Sequence, residues 1–366
     1  MKKVCHLTSA HPRYDTRIFV KECQSLAKEY QVSLIVADSK GNETKDGIAI
    51  YDVGKSRGRL NRFFKSTYRV YKKALALDSD IYHFHDPELL WVGLKLQRAG
   101  KRVIYDAHED IELQVLSKEY LSFSVRKVLS VVLRYFQAYC MRRFSAVVCA
   151  TSFIQNKFEK DSKRAIAVNN FPVIRELESQ MAWSERQDKI CYIGALSEVR
   201  GIKELVCALD YLEDVELDLA GTFFNTAFEK EVKSLNSWKR VNYLGFVGRN
   251  EIKKILESSK IGIVTLHPIV NYQDALPVKM FEYMLAGIPV VASDIALWKS
   301  IVDEAECGVC VDPYNPKEIA QAIQKLMDNQ ELASQMGENG KRAVVEKYNW
   351  AKEEEKLLQC YRDVLR

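Results

Sequence analysis

Residues 191–209 read CYIGALSEVRGIKELVCAL. An apolar run of strand character ends at Gly194, a polar loop follows, and an amphipathic helical period begins near Gly201. The same strand–loop–helix unit recurs on both sides. Upstream, KVCHLTS, QVSLIVA, IAIYDVG, DIYHFHD, RVIYDAH and SAVVCAT read as strands, with helical patterns at 17–29, 59–77, 87–98 and 119–140 between most of them. Downstream, KICYIG, VELDLAG, RVNYLGF, IGIVTL, IPVVAS and CGVCVD read as strands. Helices near 201–212, 225–236, 249–258, 277–286 and 315–328 separate most of these, and two more close the chain at 330–347 and 349–364. Strand–helix alternation specifies a parallel, doubly wound α/β sheet, and two series of it specify two such sheets.

The series break where the sequence turns polar, after Asn169-Asn170-Phe171-Pro172 and through ESQMAWSERQD. The expected organisation is a first Rossmann-like domain over 1–170, a linker over 171–188, a second Rossmann-like domain over 189–347, and a C-terminal helix over 348–366 that packs back toward the first domain. Ligands of such sheets bind beyond the carboxyl ends of the strands, so two facing domains predict a site in a central cleft.

Composition narrows the class. A chain of 366 residues with 47% hydrophobic and 28% charged residues fits a soluble globular enzyme. No apolar run approaches the roughly 18 residues of a membrane span, and the N-terminus lacks the apolar core of a signal peptide. Nine scattered cysteines, an odd number, suit a reducing cytoplasm. Cys307 and Cys310 form a lone pair without a second half, and Asp78-Ser79-Asp80 precedes a strand rather than following one, so neither is read as a metal site. The net charge of +5 conceals a split: residues 1–180 hold 31 Lys and Arg against 20 Asp and Glu, the remainder 23 against 29. Unlike halves point to unlike partners.

The chemistry begins with Arg200. It stands at a helix entrance, where free N–H groups favour phosphate and a guanidinium adds a bidentate charge; an exposed arginine in an ordinary connection reads equally well on spacing alone. Residues 274–294, DALPVKMFEYMLAGIPVVASD, put Asp274 before a helix that Pro277 opens and Gly287 closes, with Glu282 inside it. A carboxylate there is an acceptor for vicinal hydroxyls.

These segments resemble glycosyltransferase family 4. The family's Glu-x7-Glu pair and small-Gly-x-Pro-Val run are matched by Asp274, Glu282 and Ala286-Gly287-Ile288-Pro289-Val290-Val291-Ala292-Ser293, with Asp274 in place of the first Glu. Its Gly-Arg-Leu-x-x-x-Lys-Gly loop appears as Gly194-Ala195-Leu196-Ser197-Glu198-Val199-Arg200-Gly201; Ala195 replaces the Arg and Arg200 the Lys, so one of two usual diphosphate cations is missing. The resemblance implies the GT-B architecture of two Rossmann-like domains, a nucleotide-sugar donor in the C-terminal domain and an acceptor in the N-terminal one. It implies that Gly194 and Arg200, with N–H groups near Leu276 and Pro277, hold the diphosphate, Glu282 the ribose hydroxyls and Asp274 the sugar hydroxyls. The base would lie near Phe246. The implied activity is retaining transfer of a hexosyl or N-acetylhexosaminyl group from a UDP-sugar to a glycan or lipid-linked acceptor in bacterial surface polysaccharide synthesis. No metal or other cofactor is expected. The alternatives are a nucleotide-sugar epimerase on the same fold and a non-catalytic nucleotide-sugar-binding scaffold.

In the first half, IYHFHDPEL puts His83 and His85 on one face of a strand, and VIYDAHED ends the next strand at His108. By the resemblance His108 positions and polarises the donor sugar; His85 supports the acceptor side. In the loop HPRYDTRIF, Asp15 and Arg17 either line the cleft or, for Asp15, cap the first helix. The segment 55–73, rich in Lys, Arg and aromatics and free of acids, and the basic helix around 126–143 suggest docking on an anionic membrane surface; the competing reading is that 126–143 packs in the core. The expected location is the cytoplasm, with a peripheral hold on the inner face of the membrane. No nucleic-acid module is present.

Overall fold

The computed structural model describes residues 1–116, 122–179 and 181–366, so the start of the helix expected over 119–140 lies outside the described residues. The chain divides into two compact units: Met1–Asn170 with Ala351–Arg366, and Phe171–Trp350.

The first unit holds an eight-stranded sheet. Its strands are β1 (Lys3–Leu7), β2 (Gln31–Val36), β3 (Glu43–Lys45), β4 (Ile48–Asp52), β5 (Ile81–Phe84), β6 (Arg102–Ala107), β7 (Ala146–Cys149) and β8 (Ala165–Ala167), in the order β3-β4-β2-β1-β5-β6-β7-β8. All neighbours are parallel except β3 and β4. Strand order reverses at β1, which has β2 on one side and β5 on the other, so the crevice for a ligand opens at the carboxyl ends of β1 and β5. Central strands covered on both faces explain why they read as unbroken apolar runs. The closing helix Trp350–Leu365 buries Leu357, Cys360 and Tyr361 within this unit.

The second unit holds six parallel strands: β9 (Lys189–Ile193), β10 (Glu216–Ala220), β11 (Val241–Gly245), β12 (Ile261–Val264), β13 (Val290–Ser293) and β14 (Gly308–Val311), ordered β11-β10-β9-β12-β13-β14. Its reversal lies between β9 and β12. The helix Val278–Leu285 connects β12 to β13 and buries Met280, Phe281, Tyr283, Met284 and Leu285 in the core.

Every strand expected from sequence is present, and the sheet class is the doubly wound one. The sequence reading omits β3 and β8, each three residues long, and the helices Ile111–Leu116, Ser152–Glu159 and Ala296–Ala305. Asp78 ends the helix Thr67–Leu77 in a left-handed turn, φ 46°, and Asp80 accepts the N–H of Lys3; both belong to the amino-terminal edge of the sheet. Among the described residues no helix is long and apolar enough to cross a membrane.

The basic helix Phe123–Met141 packs one side on the core through Leu133, Cys140 and Met141, as the competing reading expects, and leaves the other side in water. Phe123, Val128 and Tyr135 are 64%, 65% and 64% exposed, and Val125, Val131 and Val132 are exposed as well. Lys127 lies over the Phe123 ring and Arg143 over Tyr139, at 4.5 and 3.5 Å from the ring centres. The core reading therefore holds for one side of the helix, while the other is an apolar face left in water and edged by cations.

Candidate functional site

In the second unit the motif residues gather at the carboxyl end of β9. Gly194, φ +138°, leaves the strand with no side chain; a Cβ there would stand 2.8 Å from Lys279 Nζ and 3.8 Å from Arg200 Nη1. Arg200 closes the single turn Glu198–Arg200, and Gly201 reverses the chain at φ +66° into the helix Ile202–Ala208. Only glycine fits there, because a Cβ would lie 1.9 Å from the carbonyl oxygen of Thr265. Arg200 is partly exposed, and no carboxylate pairs with it among the described residues.

Lys279 has no signal in sequence beyond being one lysine on an apolar helix. It is 9% exposed, its Nζ has no hydrogen-bond partner, and it lies 3.7 Å above the Tyr192 ring centre. Burial, reinforced by the nearby Arg200 charge, holds its ammonium well below the ordinary lysine range.

Glu282 is buried on the same helix. Its Oε1 accepts from Arg249 Nη1 at 2.7 Å, while Arg249 Nε and Nη2 donate to Glu176 Oε2 at 3.1 and 2.8 Å. The carboxylate expected to hold ribose is therefore itself fixed by a guanidinium that no motif marks. Asp274 ends the short helix Val270–Gln273 and is partly buried. Leu276 packs against the core; Pro277 caps the helix Val278–Leu285, its carbonyl accepting from Met280 N–H at 3.0 Å. The first N–H groups of that helix have no helical acceptor. Phe246, just after β11, is 88% exposed.

In the first unit a polar network fills the space beneath the ends of β1, β5 and β6. Asp106 is its centre. Arg17 Nε and Nη2 donate to its two oxygens at 2.9 and 2.8 Å, and Arg17 Nη1 donates to the Val168 carbonyl at 2.8 Å. His85 Nδ1 and His108 Nε2 lie 3.0 and 2.8 Å from Asp106 Oδ2. This corrects the reading of Arg17: it is buried and fully engaged, so it faces neither a donor phosphate nor an acceptor. His85 is also buried, its Nε2 2.9 Å from His6 Nδ1, and it reaches any ligand only through its neighbours. His108 keeps 21% of its side chain in solvent. Asp15 caps the first helix by accepting from Arg17 N and Ile18 N, and pairs with His11 at 3.5 Å.

The ionisation states follow from burial and charge. Burial opposes the Asp106 carboxylate, but Arg17 prevails and holds it well below the usual range. Burial, then the Asp106 charge, pushes Glu22 well above it. Burial keeps His6 and His83 neutral and His85 down at about 4. Burial works against charge on His11 too, yet Asp15 and Asp86 raise it; the same contact and two backbone N–H groups bring Asp15 to about 2 against its own burial. Tyr361 of the closing helix lies 2.7 Å from His83 Nδ1. Two groups have ligand atoms near enough to share an ion: His6, Glu22, His83 and His85, and His85, Asp106 and His108. In the first, His6 and His85 stand 2.9 Å apart in a direct hydrogen bond, closer than the roughly 3.3 Å separating two nitrogens on one tetrahedral zinc at about 2.0 Å.

Comparison with known proteins bears on both units. Residues 17–169 match the family model described as Glycosyltransferase Family 4, and residues 173–343 the one described as Glycosyl transferases group 1. The uncharacterized glycosyltransferase MJ1069 of Methanocaldococcus jannaschii is 23% identical over 309 residues, 80% of this chain and 76% of that protein. A second glycosyltransferase of that organism, MJ1607, is 23% identical over 51% of each chain, so this match spans about half of the relative's length. Lipopolysaccharide glucosyltransferase WaaG of Escherichia coli is 23% identical over 43% of this chain and 42% of its own. Among solved structures, sucrose-phosphate synthase from Thermosynechococcus elongatus shares the fold with a TM-score of 0.79 at 17% identity, covering 100% of this chain and 99% of that one. HepE from Anabaena, solved with UDP-glucose, gives 0.74 at 16% identity, covering 99% of this chain and 100% of its own. The chain belongs to glycosyltransferase family 4 and has its GT-B fold.

Proposed function

We propose that this glycosyltransferase takes its sugar from a UDP-sugar, with GDP-mannose as the second choice, and passes it with retained configuration to a glycan or lipid-linked acceptor of bacterial surface polysaccharide synthesis. The observation that carries the donor half is Arg200. It is a guanidinium with no carboxylate partner among the described residues, beside Gly194 at a strand end and close to Lys279 on the first turn of a helix. HepE bound to UDP-glucose supports the uridine choice.

In this reading Arg200, the backbone at Gly194 and the N–H groups near Leu276 and Pro277 hold the diphosphate. Glu282 accepts from the ribose with the oxygen Arg249 leaves it, Asp274 holds sugar hydroxyls, and Phe246 lies against the base. The bond from the anomeric carbon to the phosphate oxygen breaks, and the diphosphate leaves with that electron pair. Fixed positive charge at the leaving group lowers the barrier, since donors aimed at developing charge are often worth a few kcal/mol each. The acceptor hydroxyl attacks on the same face, and its proton passes to the departing phosphate oxygen. His108, oriented by Asp106, acts on the sugar; His85 is a positioning residue that acts through Asp106. Transfer needs no metal in this scheme, so EDTA leaves the rate unchanged; a rate lost to EDTA and restored by Mg2+ refutes that part.

The exposed apolar face of Phe123–Met141, edged by Arg126, Lys127, Arg134 and Arg143, fits an anionic bilayer surface, where a lipid-linked acceptor would be found. Flotation with anionic vesicles should retain the protein at low salt and release it at high salt; equal recovery with neutral vesicles counts against it.

The deciding experiment is a thermal-shift panel of nucleotide-sugars followed by transfer assays, because a ligand of the native state raises its stability. A UDP-sugar should raise the melting temperature, and Arg200→Ala and Glu282→Ala should abolish transfer while the fold survives. Near-normal turnover by both variants sinks the assignment. Epimer formation without acceptor would make the chain an epimerase, and binding without transfer or hydrolysis a scaffold.

A further inference from the structure

We propose that Lys279 is the second diphosphate cation of the donor site, doing from the helix Val278–Leu285 what the family's loop arginine does at the position occupied here by Ala195. The inference rests on the donor reading above and adds to it a residue that no motif marks.

Four observations converge. Lys279 Nζ is nine-tenths buried and has no hydrogen-bond partner. It lies 2.8 Å from the position a Cβ on Gly194 would take, and Arg200 Nη1 lies 3.8 Å from the same point. Two cations thus meet at the strand end where the loop with Ala195 begins. Neither has a counter-ion there, an arrangement that a bound anion would relieve. Lys279 also sits in the first turn of an eight-residue helix whose leading N–H groups have no acceptor within the helix.

Glu282 does not form an ion pair with Lys279. It lies three residues along the same helix, the spacing of a natural ion pair, yet its Oε1 is drawn to Arg249, which Glu176 anchors from the other side. Arg200 and Lys279 are left for a ligand of at least two negative charges. A side chain at position 195 is dispensable when the cation reaches the same place from position 279. The Tyr192 ring, 3.7 Å below Nζ, supports the ammonium without competing for its protons.

The test is calorimetric titration of the full chain with UDP and UMP, or GDP and GMP if the parent protein selects guanine. Lys279→Met keeps the length and apolar stem over Tyr192. It should weaken diphosphate binding tenfold or more, as expected for the loss of a charge-assisted hydrogen bond to phosphate, and monophosphate binding far less. Ala195→Arg added to that variant should recover most of the loss. A generally disturbed fold would weaken both nucleotides alike and would not be rescued from position 195, so equal losses overturn the proposal, as does diphosphate affinity within twofold of the parent. Should Lys279→Met not fold, Lys279→Gln and the single Ala195→Arg variant carry the comparison: the added arginine crowds an occupied subsite and should gain less than threefold. If the parent itself binds no nucleoside diphosphate, the donor reading has failed rather than the role of Lys279 within it.

Discussion

Replacing Arg17 by Met should destabilise the first unit without touching donor binding. In the native chain the guanidinium, 4% exposed as a side chain, satisfies both oxygens of a fully buried Asp106 and the Val168 carbonyl, and stands 3.1 Å from Glu22. Methionine fills much of the same volume but leaves Asp106 with only two imidazole donors and no counter-charge. Removing one partner of a buried pair costs about 3–5 kcal/mol, most of it the stranded charge. A domain of this size loses roughly 2–4 °C per kcal/mol, so the melting transition should fall by about 6–20 °C. Scanning calorimetry reads this directly. Arg17→Lys should recover part of the loss, since an ammonium restores charge but reaches one oxygen at a time. A variant that melts with the parent protein while nucleotide-sugar affinity drops would refute the reasoning and restore Arg17 as a ligand residue.

Gly201→Ala must move the Thr265 carbonyl or the turn carrying Arg200, because its Cβ would lie 1.9 Å from that oxygen; strain of this kind costs about 1–3 kcal/mol, and UDP affinity should fall with stability. Affinity unchanged despite the lower melting point would mean Arg200 is not placed by that turn. Acidification should weaken the first unit. The folded values of His6, His83 and His85 are depressed, so their contribution is complete above about pH 6.5 and lost as pH falls from there; for His85, held at about 4, the loss amounts to about 3 kcal/mol. Glu22 acts oppositely: its raised folded value gives stability at low pH that is lost as pH rises above its ordinary range, so Glu22→Gln should steepen the acid loss. Urea midpoints at pH 8, 6.5 and 5 check both signs, and a flat profile in both proteins contradicts the buried neutral histidines.

The legible part of the fold is the part with a period. Six strands in the first half and six in the second announce themselves because each is an apolar run ended by a turn residue. β3 and β8 do not, since three residues carry no pattern and are strands only by virtue of the neighbour they pair with. The helix Ala296–Ala305 is different: Trp298, Ile301 and Val302 carry the i, i+3, i+4 spacing of a helix face. In the candidate site, Arg200, Asp274 and Glu282 are marked by motif. The meaning of Arg17 is invisible because its partner Asp106 is 89 residues away. Sequence supplies the type and spacing of a charge but not what already neutralises it.

That distinction alters what the charge split implies. The second half of the sequence has a surplus of acids, yet it holds the proposed site for a dianionic ligand. Bulk charge would disfavour that ligand, but charges beyond a Debye length of about 8–10 Å are screened, so the local arrangement decides. Locally the buried acid of the helix is engaged by an arginine: Glu282 Oε1 accepts from Arg249, and Glu176 fixes Arg249. The surplus cations at the strand end are the two that remain, Arg200 and Lys279. An acidic domain binds a diphosphate, on this view, by engaging its own carboxylate with one arginine and leaving two cations at the strand end.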